Sequence, residues 1–215
     1  IQAVMEWIEY IVEHMKSRTD PAAEDLISLL IHAEGDPLTA DELIYETMLI
    51  LVGGDETTRH VMSGGLQALL QHPAQLDALR ADRSLMNSAI EEMLRWVTPV
   101  RNMNRTAVRD VDVGGQPILA GDRVLLLYLS GNRDERIFER PDEFDITRSP
   151  NDHVGFGGGG PHFCLGANLA RIEIKLMVEE LVRRAARVEP AGPAERLRSN
   201  FINGIKHLPV TVTPR

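Results

Sequence analysis

Apolar residues recur at helical spacing from the first position: Ile1, Val4, Met5, Ile8, Ile11, Val12 and Met15 share a face, with no initiator Met, signal peptide or N-cap ahead of them. The pattern predicts a helix already under way at residue 1, and with it a chain that is the C-terminal piece of a longer protein. Asp20-Pro21 reads as a turn, and Leu26, Ile27, Leu29, Leu30 and Ile31 form the apolar face of a second short helix ended by Gly35-Asp36-Pro37. Thr39 with Glu42 three residues on is a capping box, opening a periodic segment that continues to about Gln71 and is long for a globular helix. His72-Pro73 starts another helix, and Ser84 to Val97 a further one closed by Thr98-Pro99.

Beyond Arg101 the period changes. Val111 and Val113, Gly114-Gly115 and then Ile118 predict a small hairpin, and Val124 to Leu127 a short buried strand. Arg133 to Gly160 carries Pro141, Pro150 and many Gly, Asp and Asn residues with no long period, and an irregular stretch of that length in a compact domain is usually functional. Helical spacing returns at Leu165, Leu169, Ile172, Leu176, Val178 and Leu181, and the tail around Phe201 to Ile205 and Val210 to Val212 reads as short strands. The architecture predicted is mainly α with minor sheets.

Composition removes several functions. With 23 Lys+Arg against 32 Asp+Glu the net charge is −9, and the basic residues are scattered singly, so neither a nucleic-acid backbone nor an anionic membrane finds a positive stripe. Apolar runs such as Met48 to Val52 are far short of the roughly 20 residues of a membrane helix. One cysteine closes no internal disulfide, which points to a reducing, cytoplasmic setting and leaves a lone thiol to explain.

That thiol lies in Phe156-Gly157-Gly158-Gly159-Gly160-Pro161-His162-Phe163-Cys164-Leu165-Gly166, directly before a helix. Glycines let a backbone approach a flat object closely, and a helix N-terminus favours the thiolate, the form that binds metal. Three other readings stand beside this one: Cys164 as a small buried hydrophobe, a zinc site with His153 and His162, and a dinucleotide loop through Gly155, Gly157 and Gly160. The last needs a preceding strand, which Asn151-Asp152-His153 does not supply. In the middle of the long helix, Gly53-Gly54-Asp55-Glu56-Thr57-Thr58 would admit a bulky ligand and a local distortion, and its acid beside a hydroxyl is a candidate proton relay. The bland alternative is a pair of solvated contacts, Asp55–Arg59 and Glu56–His60. Glu92 and Arg95 share one helix face next to Trp96; an isolated pair of this kind is most often a surface salt bridge.

These three motifs, in this order and spacing, resemble the cytochrome P-450 family of haem-thiolate monooxygenases, and the resemblance runs from residue 1 to the end as the C-terminal half or so of such a protein. It implies the C-terminal portion of the cytochrome P-450 fold, with residues 1–215 part of a single domain whose N-terminal part is absent. Carried over residue by residue, Cys164 matches the axial ligand of haem b iron, Glu56 and Thr57 the acid–alcohol pair, and Glu92 with Arg95 the structural ExxR. Arg148, closing Pro141-Asp142-Glu143-Phe144-Asp145-Ile146-Thr147-Arg148, matches the third partner of that network, and Arg105 and His162 match haem-propionate positions. Phe156, Gly160 and Gly166 belong to the cofactor loop, with one departure: the commonest signature has its Phe seven residues before the Cys, whereas Phe156 lies eight before and Gly157 takes the usual place.

The same resemblance implies O₂ as co-substrate and a ferredoxin-type electron donor docking on the Cys164 side, where Arg171 and Lys175 offer positive charge. A hydrophobic substrate would meet Val52, Gly53, Val100, Met103, Phe201 and Ile202. The longer Phe-Gly-Gly-Gly-Gly loop, together with Ser199 to Pro209, is similar to actinobacterial members that oxidise sterol side chains and methyl-branched lipids. Alternatives are an oxygenase of another hydrophobic secondary metabolite and a truncated, non-catalytic product. On this reading the 215 residues by themselves are expected to be inactive.

Overall fold

The computed structural model describes residues 2–215, with Ile1 of the first apolar stripe outside them. They form two compact units, one ending at Asp55 and the other spanning Glu56–Arg215. In the first unit α1 (Gln2–Ser17) is followed by α2 (Leu26–Ile31) and the opening turns of α3 (Ala40–Gln71). Asp25 caps α2, its carboxylate accepting from the Ser28 amide at 3.2 Å and the Ser28 hydroxyl at 2.7 Å. The capping box at the start of α3 is formed in both directions: the Thr39 hydroxyl accepts from the Glu42 amide, and Glu42 accepts from the Thr39 amide at 2.7 Å.

The second unit is built around α5 (Met86–Val97), whose Met86, Ala89, Ile90, Met93 and Leu94 are all buried. They pack with Val61 and Leu69 of α3, Leu79 of α4 (Pro73–Ala81) and Ile174, Val178 and Val182 of α7 (Ala167–Arg184). The approach of α3 to α5 depends on Gly64 and Gly65. A Cβ on Gly64 would lie 2.8 Å from Val97 Cγ2, and one on Gly65 would collide with the Met93 thioether end and sit 2.8 Å from Met93 Cγ. By contrast Gly53 and Gly54, which the sequence marks for a distortion, lie in unbroken α-helix, where an added Cβ would meet nothing within 4 Å.

The sheets are minor, as expected. Among the described residues four antiparallel pairs form: β1 (Asn102–Thr106) with β4 (Arg123–Leu127), β2 (Val111–Val113) with β3 (Gln116–Ile118), β5 (Ala185–Pro190) with β8 (Val210–Pro214), and β6 (Glu195–Arg196) with β7 (Ile205–His207). The 111–118 hairpin is where its alternation and Gly-Gly turn place it, with Gly114 and Gly115 at φ 60° and 82°. Several details differ from expectation. Residues 124–127 form a strand but not a buried one, since Leu125 and Leu127 are 49% and 54% exposed. Its partner β1, Asn-Met-Asn-Arg-Thr, has no apolar alternation and was not foreseen, and neither were β5, β6 and the short α6 (Tyr128–Gly131). Helix α5 begins at Met86 because Asp82 caps a separate 3₁₀ turn, Arg83–Leu85, accepting from the Ser84 amide at 2.8 Å. Leu165, counted into the last helix, precedes it and is 92% exposed. The expected strand at 201–205 is a single bridge, Val100 to Ile202, before β7. Among the described residues no helix is long and apolar enough to cross a membrane.

The crossing of α3 and α5 gives a direct expectation. Gly65→Ala should overpack Met93 at a cost of about 1–3 kcal/mol, offset by at most about 1 kcal/mol of helix propensity. Gly54→Ala, with open space around it, should be neutral or stabilising. Urea midpoints of the two variants check this, and a Gly65→Ala protein as stable as the wild type would show that the close approach is not a constraint.

Candidate functional site

The Glu92 and Arg95 carboxylate–guanidinium pair is fully buried, not a surface salt bridge. Arg95 donates through Nε and Nη2 to the two Glu92 oxygens at 2.8 and 2.7 Å, a bidentate fork. Glu92 also accepts from Arg148 Nε at 3.1 Å, Asn151 Nδ2 at 3.1 Å and the Asp145 amide at 2.9 Å. Both guanidinium groups also donate to carbonyls of the irregular segment: Arg95 to Asn132, Pro141 and Glu143, and Arg148 to Glu139, Arg140 and Glu143. A segment with no ladder of its own thus has its carbonyls satisfied by two buried cations.

Asn132 fixes where that segment leads. Its side chain donates to the Thr98 hydroxyl at 2.8 Å and accepts from the Val154 amide at 2.8 Å, tying the end of α5 to the approach of the glycine loop. A second ionic group, not singled out in the sequence, lies beside it. Glu91 accepts two bonds from Arg171, at 2.6 and 2.9 Å, and its Oε2 is 2.9 Å from His153 Nε2. Burial pushes the Glu91 carboxyl up, but the His153 and Arg171 contacts outweigh it and hold the group at about 2. His153 Nδ1 accepts from the Gly155 amide at 3.1 Å, which sets Nε2 as the protonated nitrogen facing Glu91. The Arg171 guanidinium lies 4.6 Å over the Phe156 ring. The only sequence signal for this group is that Glu91 adjoins Glu92; its partners are 62 and 80 residues away.

Phe156, half-buried against the core, opens the loop. Its carbonyl accepts the Cys164 amide at 3.0 Å, so the extra residue between Phe156 and Cys164 is absorbed inside a closed loop. Gly157, Gly159 and Gly160 have φ of 93°, 94° and 74°, a region side chains rarely adopt. Cys164 is exposed at the entrance to α7, beside exposed Phe163, Leu165 and Leu169. Gly158, Gly159, Gly160 and Gly166 would each carry a Cβ into open space. An exposed thiol, side-chain-free backbone and apolar neighbours suit a flat apolar group with a soft-ligand metal, and so fit haem. The other readings of this loop do not hold: the thiol is not buried, no strand precedes Gly155, and among the described residues no group of three His, Cys, Asp or Glu could hold a metal.

Arg105 lies on β1 opposite Val124 and is exposed, as is His162 in the loop. Val100 and Ile202 form a bridge, and the Arg101 amide donates to the Phe201 carbonyl at 2.8 Å, so these candidate pocket residues are neighbours; Met103 follows on β1. Val52 and Gly53 belong to the first unit. Glu56 and Thr57 are adjacent and half-buried. Glu56 accepts from Arg59, which holds its carboxyl below the usual range, and its Oε2 is 2.8 Å from His60 Nε2. Arg171 and Lys175 are part-exposed and both are ion-paired, Arg171 with Glu91 and Lys175 at 3.9 Å from Glu179.

Known proteins match this arrangement closely. A family profile described as Cytochrome P450 matches residues 1–191. A steroid C26-monooxygenase of Mycolicibacterium smegmatis is 47% identical over 203 residues, covering 93% of this chain and 50% of the relative. Linalool 8-monooxygenase of Pseudomonas putida is 42% identical over 212 residues, 98% and 52% of the two chains. The structure of Mycobacterium marinum cytochrome P450 CYP268A2 in complex with pseudoionone superposes with a TM-score of 0.92 at 40% identity, covering 96% of this chain and 50% of that one. The chain spans about half the length of the curated relatives it matches. With a profile match over most of its residues and relatives 42% and 47% identical across nearly all of it, the chain belongs to the cytochrome P450 family.

Proposed function

We propose that this chain is the C-terminal part of a single-domain haem-thiolate monooxygenase that hydroxylates a hydrophobic substrate, a sterol side chain or a methyl-branched lipid. The observation that carries the reading is the exposed Cys164 thiol, presented between a closed glycine loop and the start of α7. The relative named a steroid C26-monooxygenase supports a steroid-like substrate, and the exposed apolar residues Met103 and Phe201 support a hydrophobic one. The linalool 8-monooxygenase supports a second reading, oxidation of a smaller hydrophobic metabolite.

In this proposal Cys164 holds the iron of haem b, Arg105 and His162 pair with its propionates, and Phe156, Gly160 and Gly166 shape the backbone against its face. Bound haem supplies reductive activation of O₂, the co-substrate, with electrons from a ferredoxin-type partner in a cytoplasmic setting. The protein's own residues hold the thiolate, exclude water and deliver protons. Glu56 is the acid and Thr57 the hydroxyl that orders the proton toward the reacting oxygen. Glu92, Arg95 and Arg148 act at a distance, by fixing the segment that ends at Phe156.

Two results test this. In the haem-loaded protein, Cys164→Ser should abolish the red-shifted absorption of the reduced CO complex and, with it, conversion of a steroid substrate; a variant that kept the thiolate spectrum would remove Cys164 from its role, and wild-type turnover of linalool but not of a steroid would favour the second reading. Thr57→Ala should leave that spectrum intact while coupled product falls on the order of 10²-fold and hydrogen peroxide rises, the size of effect expected of a lost proton-delivery group. Unchanged coupling of electron consumption to product would take Thr57 out of the relay.

A further inference from the structure

Glu91 of α5 and Arg171 of α7 form an ion pair beside the glycine loop, and no step of the proposed reaction uses their charges. Arg171 lies on the second turn of α7, and the Cys164 carbonyl accepts from the Ala167 amide at 3.2 Å, so the thiol residue adjoins the first turn of the same helix. Long side chains on a helix lean toward its N-terminus, which turns this guanidinium back toward the loop. It lies 4.6 Å over the Phe156 ring, and the Phe156 carbonyl receives the Cys164 amide at 3.0 Å.

The pair is half-buried, with side-chain exposures of 34% for Arg171 and 28% for Glu91, so water screens it only in part. Glu91, held at about 2, is ionised at neutral pH. Its hydrogen bonds raise the Arg171 guanidinium above the ordinary value against the opposing effect of partial burial, and Coulombic attraction from Glu91 and then from Cys164 adds to the rise. The Cys164 sulfur and the Arg171 cation thus act on each other, with the α5 carboxylate as the opposing charge. His153, whose Nδ1 accepts from the Gly155 amide, is a neutral donor to Glu91 and adds no charge to the group.

We propose that Glu91 and Arg171 are positioning residues that act by charge: together they set the electrostatic potential at Cys164, and through it how readily the thiolate site takes up an electron. The proposal rests on the monooxygenase reading above, in which a ferredoxin-type donor gives up one electron at a time to haem held by Cys164. Each transfer adds one negative charge at the site and moves no proton, while the donor is oxidised by one electron. The Arg171 cation favours that change and the Glu91 carboxylate opposes it. A role confined to holding the loop makes a different demand. Removing either partner breaks the same fork and leaves the other half-buried ion unpaired, so a purely structural pair would send both variants in one direction. Charges of opposite sign send them in opposite directions.

The full chain has one cysteine, and it is exposed, so alkylation reports on Cys164 alone. In the haem-free protein, the rate with anionic iodoacetate divided by the rate with neutral iodoacetamide reads the local potential, and the ionised fraction of the thiol cancels in the ratio. Relative to the wild type this ratio should fall about three- to tenfold in Arg171→Gln and rise about as much in Glu91→Gln. The double variant, with neither charge, should lie between the two, and Arg171→Lys, which keeps the charge without the fork, should stay near the wild type; both guard against a folding defect in a single variant. In the haem-loaded protein the midpoint potential should move the same way, down in Arg171→Gln and up in Glu91→Gln, by about three- to tenfold in the one-electron equilibrium, or about 28–59 mV. Shifts of one sign in both single variants, or unchanged ratios or midpoints in both, would overturn the proposal. A wild-type protein without any thiolate-type absorption would instead overturn the monooxygenase reading, and the alkylation ratios would still decide whether the pair sets the potential at Cys164.

Discussion

Glu92 is a carboxylate with no exposure that accepts five hydrogen bonds: two from Arg95 and one each from Arg148, Asn151 and the Asp145 amide. Burying charges costs several kcal/mol per ion unless every donor and acceptor is met, and removing one member costs about 3–5 kcal/mol because the others are left uncompensated. Here the irregular segment supplies its carbonyls to both arginines, and of the groups around Glu92 only the Asn151 Oδ1 is left buried without a hydrogen-bond partner among the described residues. The dependence runs both ways: the ions need the segment's carbonyls, and the segment, with no ladder, needs the ions.

What the segment positions gives the cluster its functional weight. Asn132 carries the connection to Val154, the Gly157 amide donates back to the Val154 carbonyl, and the Phe156 carbonyl receives the Cys164 amide. Arg171 pairs with Glu91, the neighbour of Glu92, and stacks on Phe156, so α5 and α7 hold the loop from two sides. The thiol is therefore placed by a scaffold at a distance, and the loop that leads to it is free to be rich in glycine. That division suits a site whose chemistry comes from a bound flat group: the backbone leaves room, and the ordering is done elsewhere.

Much of this was legible in the chain, for identifiable reasons. Periodic segments, one of them opened by a capping box, predict α1 to α5 and α7, because burial of one face is written every three or four residues. Cys164 was legible because its glycines and the helix after it are contiguous. What escaped depends on partners distant in sequence. Glu92 and Arg95 taken alone read as an ordinary surface pair; the family resemblance pointed to their network with Arg148, and what neither showed is that carbonyls between Asn132 and Glu143 complete it. Gly64 and Gly65, which carry no signal in the sequence, are a condition of the crossing of α3 with α5, while Gly53 and Gly54, which looked purposeful, sit in regular helix. Strand β1 has no alternation to read, since its pairing with β4 is set by the chain between them. His60 read as half of a solvated pair and is in fact buried against Gly204, 144 residues on.

The central claim is that one buried ionic cluster holds the thiol-bearing loop. Glu92→Gln keeps the shape and removes the charge, and amide hydrogen exchange then reads the consequence residue by residue. If the cluster governs the loop, exchange at Asp145, Val154, Gly157 and Cys164 should accelerate together, by on the order of 10²–10⁴-fold for a loss of about 3–5 kcal/mol. Acceleration confined to Asp145, with Val154, Gly157 and Cys164 as protected as in the wild type, would show that the loop holds itself and would contradict the account.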